Sequence, residues 1–211
     1  MAINNHQQHL LIFARLPELG QVKTRLARSI GDDAALAVYR ELLARTRAAA
    51  DGFGGQKTVW LTQSTSLPLT PEAVAAQWPE YNWQPQPPGD LGGKMQLAFT
   101  QAFTACAASV VIIGTDCPGL STTLLSQAFE LLATHDVVVG PAADGGYYLL
   151  GMNALHQDLF QNKAWSTASV LTDTLADVAR LGLQVARLPT LHDVDTADDL
   201  AVWRAAENQT K

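Results

Sequence analysis

Apolar residues in this chain follow two rhythms that alternate from one end to the other. Uninterrupted apolar runs stand at Leu10-Leu11-Ile12-Phe13, Val59-Trp60-Leu61, Val110-Val111-Ile112-Ile113 and Val137-Val138-Val139. Such runs predict strands covered on both faces, as in a parallel sheet, because a half-exposed strand would alternate apolar with polar. Between them the apolar positions fall near a 3.6-residue period. Leu36, Tyr39, Leu42, Leu43 and Thr46 form one such face, and Met95, Ala98, Phe99, Ala102 and Phe103 form a second. Leu124, Leu125, Ala128, Phe129 and Leu132 form a third. These faces predict amphipathic helices lying against the sheet.

In chain order the pattern predicts strands over 9–14, 57–62, 81–86, 109–113, 136–141, 147–152 and 184–188, with the first as the central strand. Helices are predicted to open at Lys23, to run from Asp32 to Asp51, and to cover 71–78, 91–106 and 166–181, with one more after Ser121 or Thr122 and a last one after Asp195. Asp32 and Asp33 are candidate caps for the second helix, and Thr196 with Asp199 has capping-box spacing for the last. The segment 153–165 has no clear rhythm. Strands alternating with helices imply a mostly parallel sheet with helices on both faces. The run Tyr147–Met152 follows a turn directly, which implies one antiparallel neighbour. With 211 residues and no visible linker, the chain reads as one domain over 1–211.

Charge narrows the partners. A formal net charge of −6 argues against nucleic acid as the ligand. No apolar run approaches the roughly 18 residues that cross a membrane, and MAINNHQQH lacks the features of a secretory signal, so a cytoplasmic location is expected. Two cysteines give neither a disulfide framework nor zinc spacing. Yet Arg15, Lys23, Arg25 and Arg28, four of the 14 basic residues, cluster after the first strand. A basic patch on an acidic chain points to one small anionic ligand.

Charged groups recur where strands end. Arg15, Lys23 and Arg25 lie in the first strand-to-helix connection, where cations oppose the helix dipole and are better explained by phosphates than by an ordinary solvated helix start. Asp116 follows the apolar run 110–113 and precedes Pro118, which places it at the C-terminal edge of the sheet, where ligands bind in open α/β folds. Asp195 also stands where a strand gives way to a helix. Each could be no more than a turn or cap residue. If the two meet, unit charges about 4 Å apart would repel by about 4 kcal/mol at an effective dielectric near 20. A cation would remove that repulsion, and a pair of carboxylates completed by water and phosphate oxygens suits magnesium better than zinc. Asp144, in Ala143-Asp144-Gly145-Gly146, is either a turn residue or a substrate contact. His192 and Asp193 are open as neighbours supporting Asp195, and Trp165 as a packing residue or a border of the site. Cys117 stands beside a carboxylate, which raises a thiol pKa and argues against a nucleophile. The glycines near 89–93 do not have dinucleotide-fingerprint spacing.

The ordered set FARLPELGQVKTRLA, GDLGGKMQLAF, GTDCPGL, GPAADGGYYLLG, AWSTASVL and DVDTADDL resembles a widespread bacterial group of glycosyltransferase-A-like proteins of unassigned chemistry, within the nucleotide-diphosphosugar transferase superfamily. The resemblance runs from about residue 10 to about residue 203. Some members of that group are named glycosyltransferases of arsenosugar biosynthesis. Relatives with clearer chemistry are the molybdenum cofactor guanylyltransferase, the phospholactate guanylyltransferase and the sugar-acid cytidylyltransferases. The resemblance implies a single αβα sandwich with a Rossmann-like sheet. It also implies triphosphate binding by Arg15, Lys23 and Arg25, and a magnesium or manganese site at Asp116 and Asp195. The first signature has only Gly20 between Arg15 and Lys23, a departure from the Gly-rich form that leaves the base open.

The leading expectation is therefore magnesium-dependent nucleotidyl transfer from a nucleoside triphosphate to a small phosphorylated acceptor, with release of pyrophosphate. Lys23, Asp116 and Asp144 would serve catalysis, Asp144 by orienting the acceptor, and Arg15, Lys23, Arg25, Gly92 and Lys94 would hold the nucleotide. Glycosyl transfer from a nucleotide-diphosphate sugar is the alternative, weakened by Pro118 where an Asp-x-Asp motif would place its second carboxylate. A non-catalytic nucleotide-binding protein is the third reading. Assembly stays open, a homodimer included.

Overall fold

The computed structural model describes residues 7–64 and 68–209. Its backbone order is β1 (Gln8–Ala14), α1 (Thr24–Ile30), α2 (Asp32–Asp51), β2 (Gln56–Leu61), α3 (Pro71–Ala75), β3 (Asn82–Pro85), α4 (Leu91–Thr104), β4 (Ser109–Ile113), α5 (Thr122–Leu131), β5 (Val137–Pro141), β6 (Tyr147–Met152), α6 (Val170–Arg180), β7 (Val185–Arg187) and α7 (Ala197–Gln209). A short 3-10 turn at Gln157–Phe160 sits in the segment without a clear rhythm, and it buries Leu159 and Phe160. Helix α6 starts at Val170 rather than at Ser166, because residues 166–169 bend back on themselves, Val170 N donating to the carbonyl of Thr167.

Among the described residues the strands form one seven-stranded sheet, ordered β3-β2-β1-β4-β6-β5-β7. The middle position belongs to β4, with β1 beside it, which corrects the expectation that β1 is central. Strand β1 runs parallel to β2 and β4, while β6 is antiparallel to both β4 and β5. The antiparallel neighbour expected from the turn before Tyr147 is thus β6, inserted between β4 and β5.

Period-two geometry explains the uninterrupted apolar runs. In β1, Leu10 and Ile12 join one buried cluster and Leu11 joins the other; in β4, Val111 and Ile113 face one side while Val110 and Ile112 face the opposite side. Both faces are covered, so no polar alternation is tolerated. The first cluster is closed by Tyr39 and Leu43 of α2 and by Leu125 and Phe129 of α5, and the second by Met95 and Phe99 of α4 and Val178 of α6. The result is an αβα sandwich. A smaller cluster, with Leu26, Leu42, Val194 and Trp203, ties α1, α2 and α7 together.

Two helix starts separate the cap expectations. Thr196 and Asp199 form a reciprocal box: Thr196 N donates to Asp199 Oδ2 at 2.8 Å, and Asp199 N donates to Thr196 Oγ1 at 3.3 Å. Asp32 and Asp33 do not cap α2. They occupy its first turn, and the cap position is Gly31 at φ 84°, a backbone that disfavours a side chain.

Candidate active site

Strand order reverses between β1 and β4, so a crevice opens beyond their C-terminal ends. Ile12 pairs with Ile113, which brings the residues after both strands, Arg15 and Asp116, to one edge. The chain after β7 returns to the same edge: Leu191 N donates to the Pro141 carbonyl at 3.0 Å and Val194 N to the Asp116 carbonyl at 3.0 Å. That second bond fixes Asp195 next to Asp116 across a long separation in sequence.

A cavity of about 710 Å³ fills the crevice, within the range of small-molecule sites. Its lining includes Arg15, Lys23, Arg25, Lys94, Asp116 and Asp195. Four cations against two carboxylates make it positive, inside a chain whose formal charge is −6. Such local reversal of sign draws anions into a cleft.

Lys23 is the centre of this arrangement. Its Nζ donates to Asp116 Oδ1 at 2.5 Å and to Asp195 Oδ1 at 2.9 Å. Burial alone would lower its pKa, but the charges and hydrogen bonds of the two carboxylates prevail and hold it raised. The Lys23 side chain is 4% exposed, while those of Asp116 and Asp195 are 49% and 36% exposed, so the ammonium lies behind carboxylates that still face the cavity. Lys23 occupies the cap position of α1 at φ 48° and ψ 43°, a left-handed conformation uncommon for a residue with a side chain. Arg25 Nη1 reaches Asp195 Oδ2 at 3.4 Å from the solvent side.

Tyr39 and Thr115 also line the cavity, and the Tyr39 hydroxyl accepts from Arg15 N at 3.0 Å and donates to the Arg15 carbonyl at 3.1 Å, fixing the start of the basic loop. Burial raises the Tyr39 pKa, so it stays a neutral donor. Cys117 Sγ donates to Asp193 Oδ1 at 2.5 Å. Burial pushes the thiol far up, with the Asp193 charge and hydrogen bond adding to it, which agrees with the rejection of Cys117 as a nucleophile. Burial also pushes Asp193 up to about 6; the thiol hydrogen bond opposes this, and the charges of Asp144, Asp116 and Asp195 add to it.

The structure therefore brings Arg15, Lys23, Arg25, Lys94, Asp116 and Asp195 to one cavity, and leaves Gly92 and Asp144 out of its lining. Gly92 is buried in α4, and a Cβ there would stand 2.5 Å from the Trp165 indole. Its missing side chain makes room for a tryptophan. Asp144 Oδ1 accepts from Gly146 N at 2.9 Å, closing a turn. Trp165 packs on the second core cluster, while its neighbour Ser166 lines the cavity. Sequence reasoning missed Tyr39 and Thr115: the tyrosine fits a helical core period, and nothing local shows where its hydroxyl points. Among the described residues, no group of three or more His, Cys, Asp or Glu side chains converges as a metal centre, and no helix is long and apolar enough to cross a membrane.

No curated protein matches this chain in sequence. A solved structure from Desulfovibrio desulfuricans G20, assigned as a nucleotide-diphospho-sugar transferase, is similar at 32% identity and a TM-score of 0.87, over 93% of this chain and 86% of that one. Rv0371c of Mycobacterium tuberculosis H37Rv, solved as a complex with manganese, shares the fold at 19% identity and a TM-score of 0.58, over 92% of this chain and 96% of that one. So does the CMP:2-keto-3-deoxy-manno-octonic acid synthetase solved with CTP, at 12% identity and a TM-score of 0.53, over 97% of this chain and 99% of that one. Residues 44–167 match the family described as uncharacterized protein conserved in bacteria (DUF2064). With that span and the similarity to the Desulfovibrio protein, the chain belongs to the DUF2064 family, on the fold of the nucleotide-diphospho-sugar transferases.

Proposed function

We propose that the protein is a metal-dependent nucleotidyltransferase that moves a nucleoside monophosphate from a nucleoside triphosphate to a small phosphorylated acceptor. The observation that carries this reading is the juxtaposition of Asp116 and Asp195 around the Lys23 ammonium, in a cavity also lined by Arg15, Arg25 and Lys94. An acceptor oxygen would form a bond to the α-phosphorus as the bond to the bridging oxygen breaks, and the electron pair would leave with pyrophosphate. Such chemistry calls for positioning and neutralisation of charge rather than a covalent protein intermediate.

The donor set fits magnesium or manganese. Asp116 and Asp195 offer only oxygens, both partly open to the cavity, and two carboxylates completed by water and phosphate oxygens match the habit of these hard cations. The metal, when bound, would supply positive charge at the reacting phosphate. Arg15 and Arg25 would grip the β- and γ-phosphates and stabilise the departing pyrophosphate. Lys94, also in the lining, would hold the nucleotide. Asp144 is close enough to Asp193 to help raise its pKa, and it would orient the acceptor. The manganese complex of Rv0371c and the CTP complex of the synthetase support the same class of ligands on this fold.

The experiment is pyrophosphate release from a panel of triphosphates offered with phosphorylated acceptors. Turnover should require magnesium or manganese, and Asp116→Asn should lower its rate by about 10²-fold or more. An Asn variant as fast as the parent would remove the metal role. Glycosyl transfer is the second reading, favoured by the assignment of the Desulfovibrio protein. Release of a nucleoside diphosphate from a nucleotide sugar, with no pyrophosphate formed from any triphosphate, would decide for it.

A further inference from the structure

A lysine ammonium occupies the position between Asp116 and Asp195, the carboxylates assigned above to a divalent ion. We propose that Lys23 is an exchangeable counter-ion: it neutralises Asp116 and Asp195 while no divalent cation is bound, and it transfers to the nucleotide's phosphates when the cation enters. The proposal deepens the functional reading and rests on it.

Geometry makes the two cations rivals. Nζ stands 2.5 Å from one Oδ1 and 2.9 Å from the other. A magnesium ion bonded to the same oxygens at roughly 2.1 Å would come within about 5 Å of that ammonium, with its double charge poorly screened. The Lys23 side chain is 4% exposed, so water does little to shield it. Removal of the ammonium without a replacement would leave two carboxylates facing each other, and retention of it would oppose the metal. Exchange resolves both conflicts, because incoming phosphates supply the negative charge that Lys23 would otherwise lose. Lys23 also lines the cavity beside Arg15, Thr24 and Arg25, which puts it on the wall that a ligand there would meet.

The consequence is coupling: the metal alone binds weakly, and binds well only in company with a polyphosphate. Manganese binding, read by electron paramagnetic resonance on the full chain without nucleotide, tests it. Lys23→Met should bind manganese about tenfold or more tightly than the parent. Manganese should also raise the variant's melting temperature by more than the parent's. With a non-hydrolysable triphosphate present, manganese affinity should rise in the parent and change much less in Lys23→Met, after correction for the metal-triphosphate complex in solution. Equal or weaker manganese binding by Lys23→Met, with binding still abolished by Asp116→Asn, would overturn the exchange and leave the metal site standing. Manganese bound by neither protein, with or without the triphosphate, would overturn both.

Discussion

At the scale of residues, the site is a problem in placing like charges close together. The charges of Asp116, Asp144 and Asp195 all act on Asp193, and the molecule treats these carboxylates differently. Asp116 and Asp195 receive Lys23, whereas Asp193 is pushed inward against the Cys117 thiol, and its pKa moves from an ordinary 3.8 to about 6. Burial is the main cause, with the other three carboxylates adding to it and the thiol opposing it. A raised acid binds its proton more tightly in the folded state, so the parent protein loses stability as pH rises from about 4 to about 6 and no further above that. Asp193→Asn keeps an oxygen for the thiol and has no charge to titrate. Its melting temperature relative to the parent should therefore climb across that window and then level off. A difference independent of pH would mean that Asp193 is not held in its acid form. The same residues show where sequence reasoning stops. Arg15 and Asp116 were legible because an apolar run that ends in a charged residue marks a strand edge, but the partner of the Cys117 thiol lies 76 positions away and leaves no local trace.

Elements meet at contacts that single glycines permit. The stretch from Gly89 to Lys94 reads as a close approach of backbone to the nucleobase, whereas at Gly92 the close approach is to the Trp165 indole. Helix α4 thereby seats the segment 162–168, whose Ser166 reaches the cavity. Gly92→Ala would place a methyl 2.5 Å from the ring, and α4 or the tryptophan would have to shift. Overpacking of this kind costs about 1–3 kcal/mol. Thermal melting should show the loss, and Trp165→Leu in the same chain should recover much of it, since the clash is with the indole. An alanine variant as stable as the parent would show that the contact is slack. The caps divide in the same way. Thr196 and Asp199 form the box that their spacing implies, because a capping box is local, while Asp32 and Asp33 are displaced from the cap by the left-handed Gly31, a turn set by how α1 must meet α2.

For the whole molecule, the functional reading implies that ligands and folding are linked. A nucleoside triphosphate with magnesium or manganese, at 100 times its Kd, should stabilise the native chain by about 2.7 kcal/mol and raise the melting temperature by about 5–10 °C. Neither partner alone should match the pair. A screen in which no triphosphate shifts melting, with or without the metal, would count against any nucleotide at this cavity. The amino-acid sequence by itself determined the strands, nearly all of the helices and the αβα class, because periodicity and apolar runs are written in consecutive residues and the burial of both sheet faces follows from them. It also determined that an acidic chain carries one basic loop. Only the tertiary structure decided that β4 lies at the middle of the sheet, that β6 enters between β4 and β5, and that Lys23 stands between carboxylates 93 and 172 positions further along. Those are outcomes of long-range pairing: which strand edge meets which, and where a return loop is pinned, depends on the fit of distant surfaces, and no short stretch of residues encodes that fit.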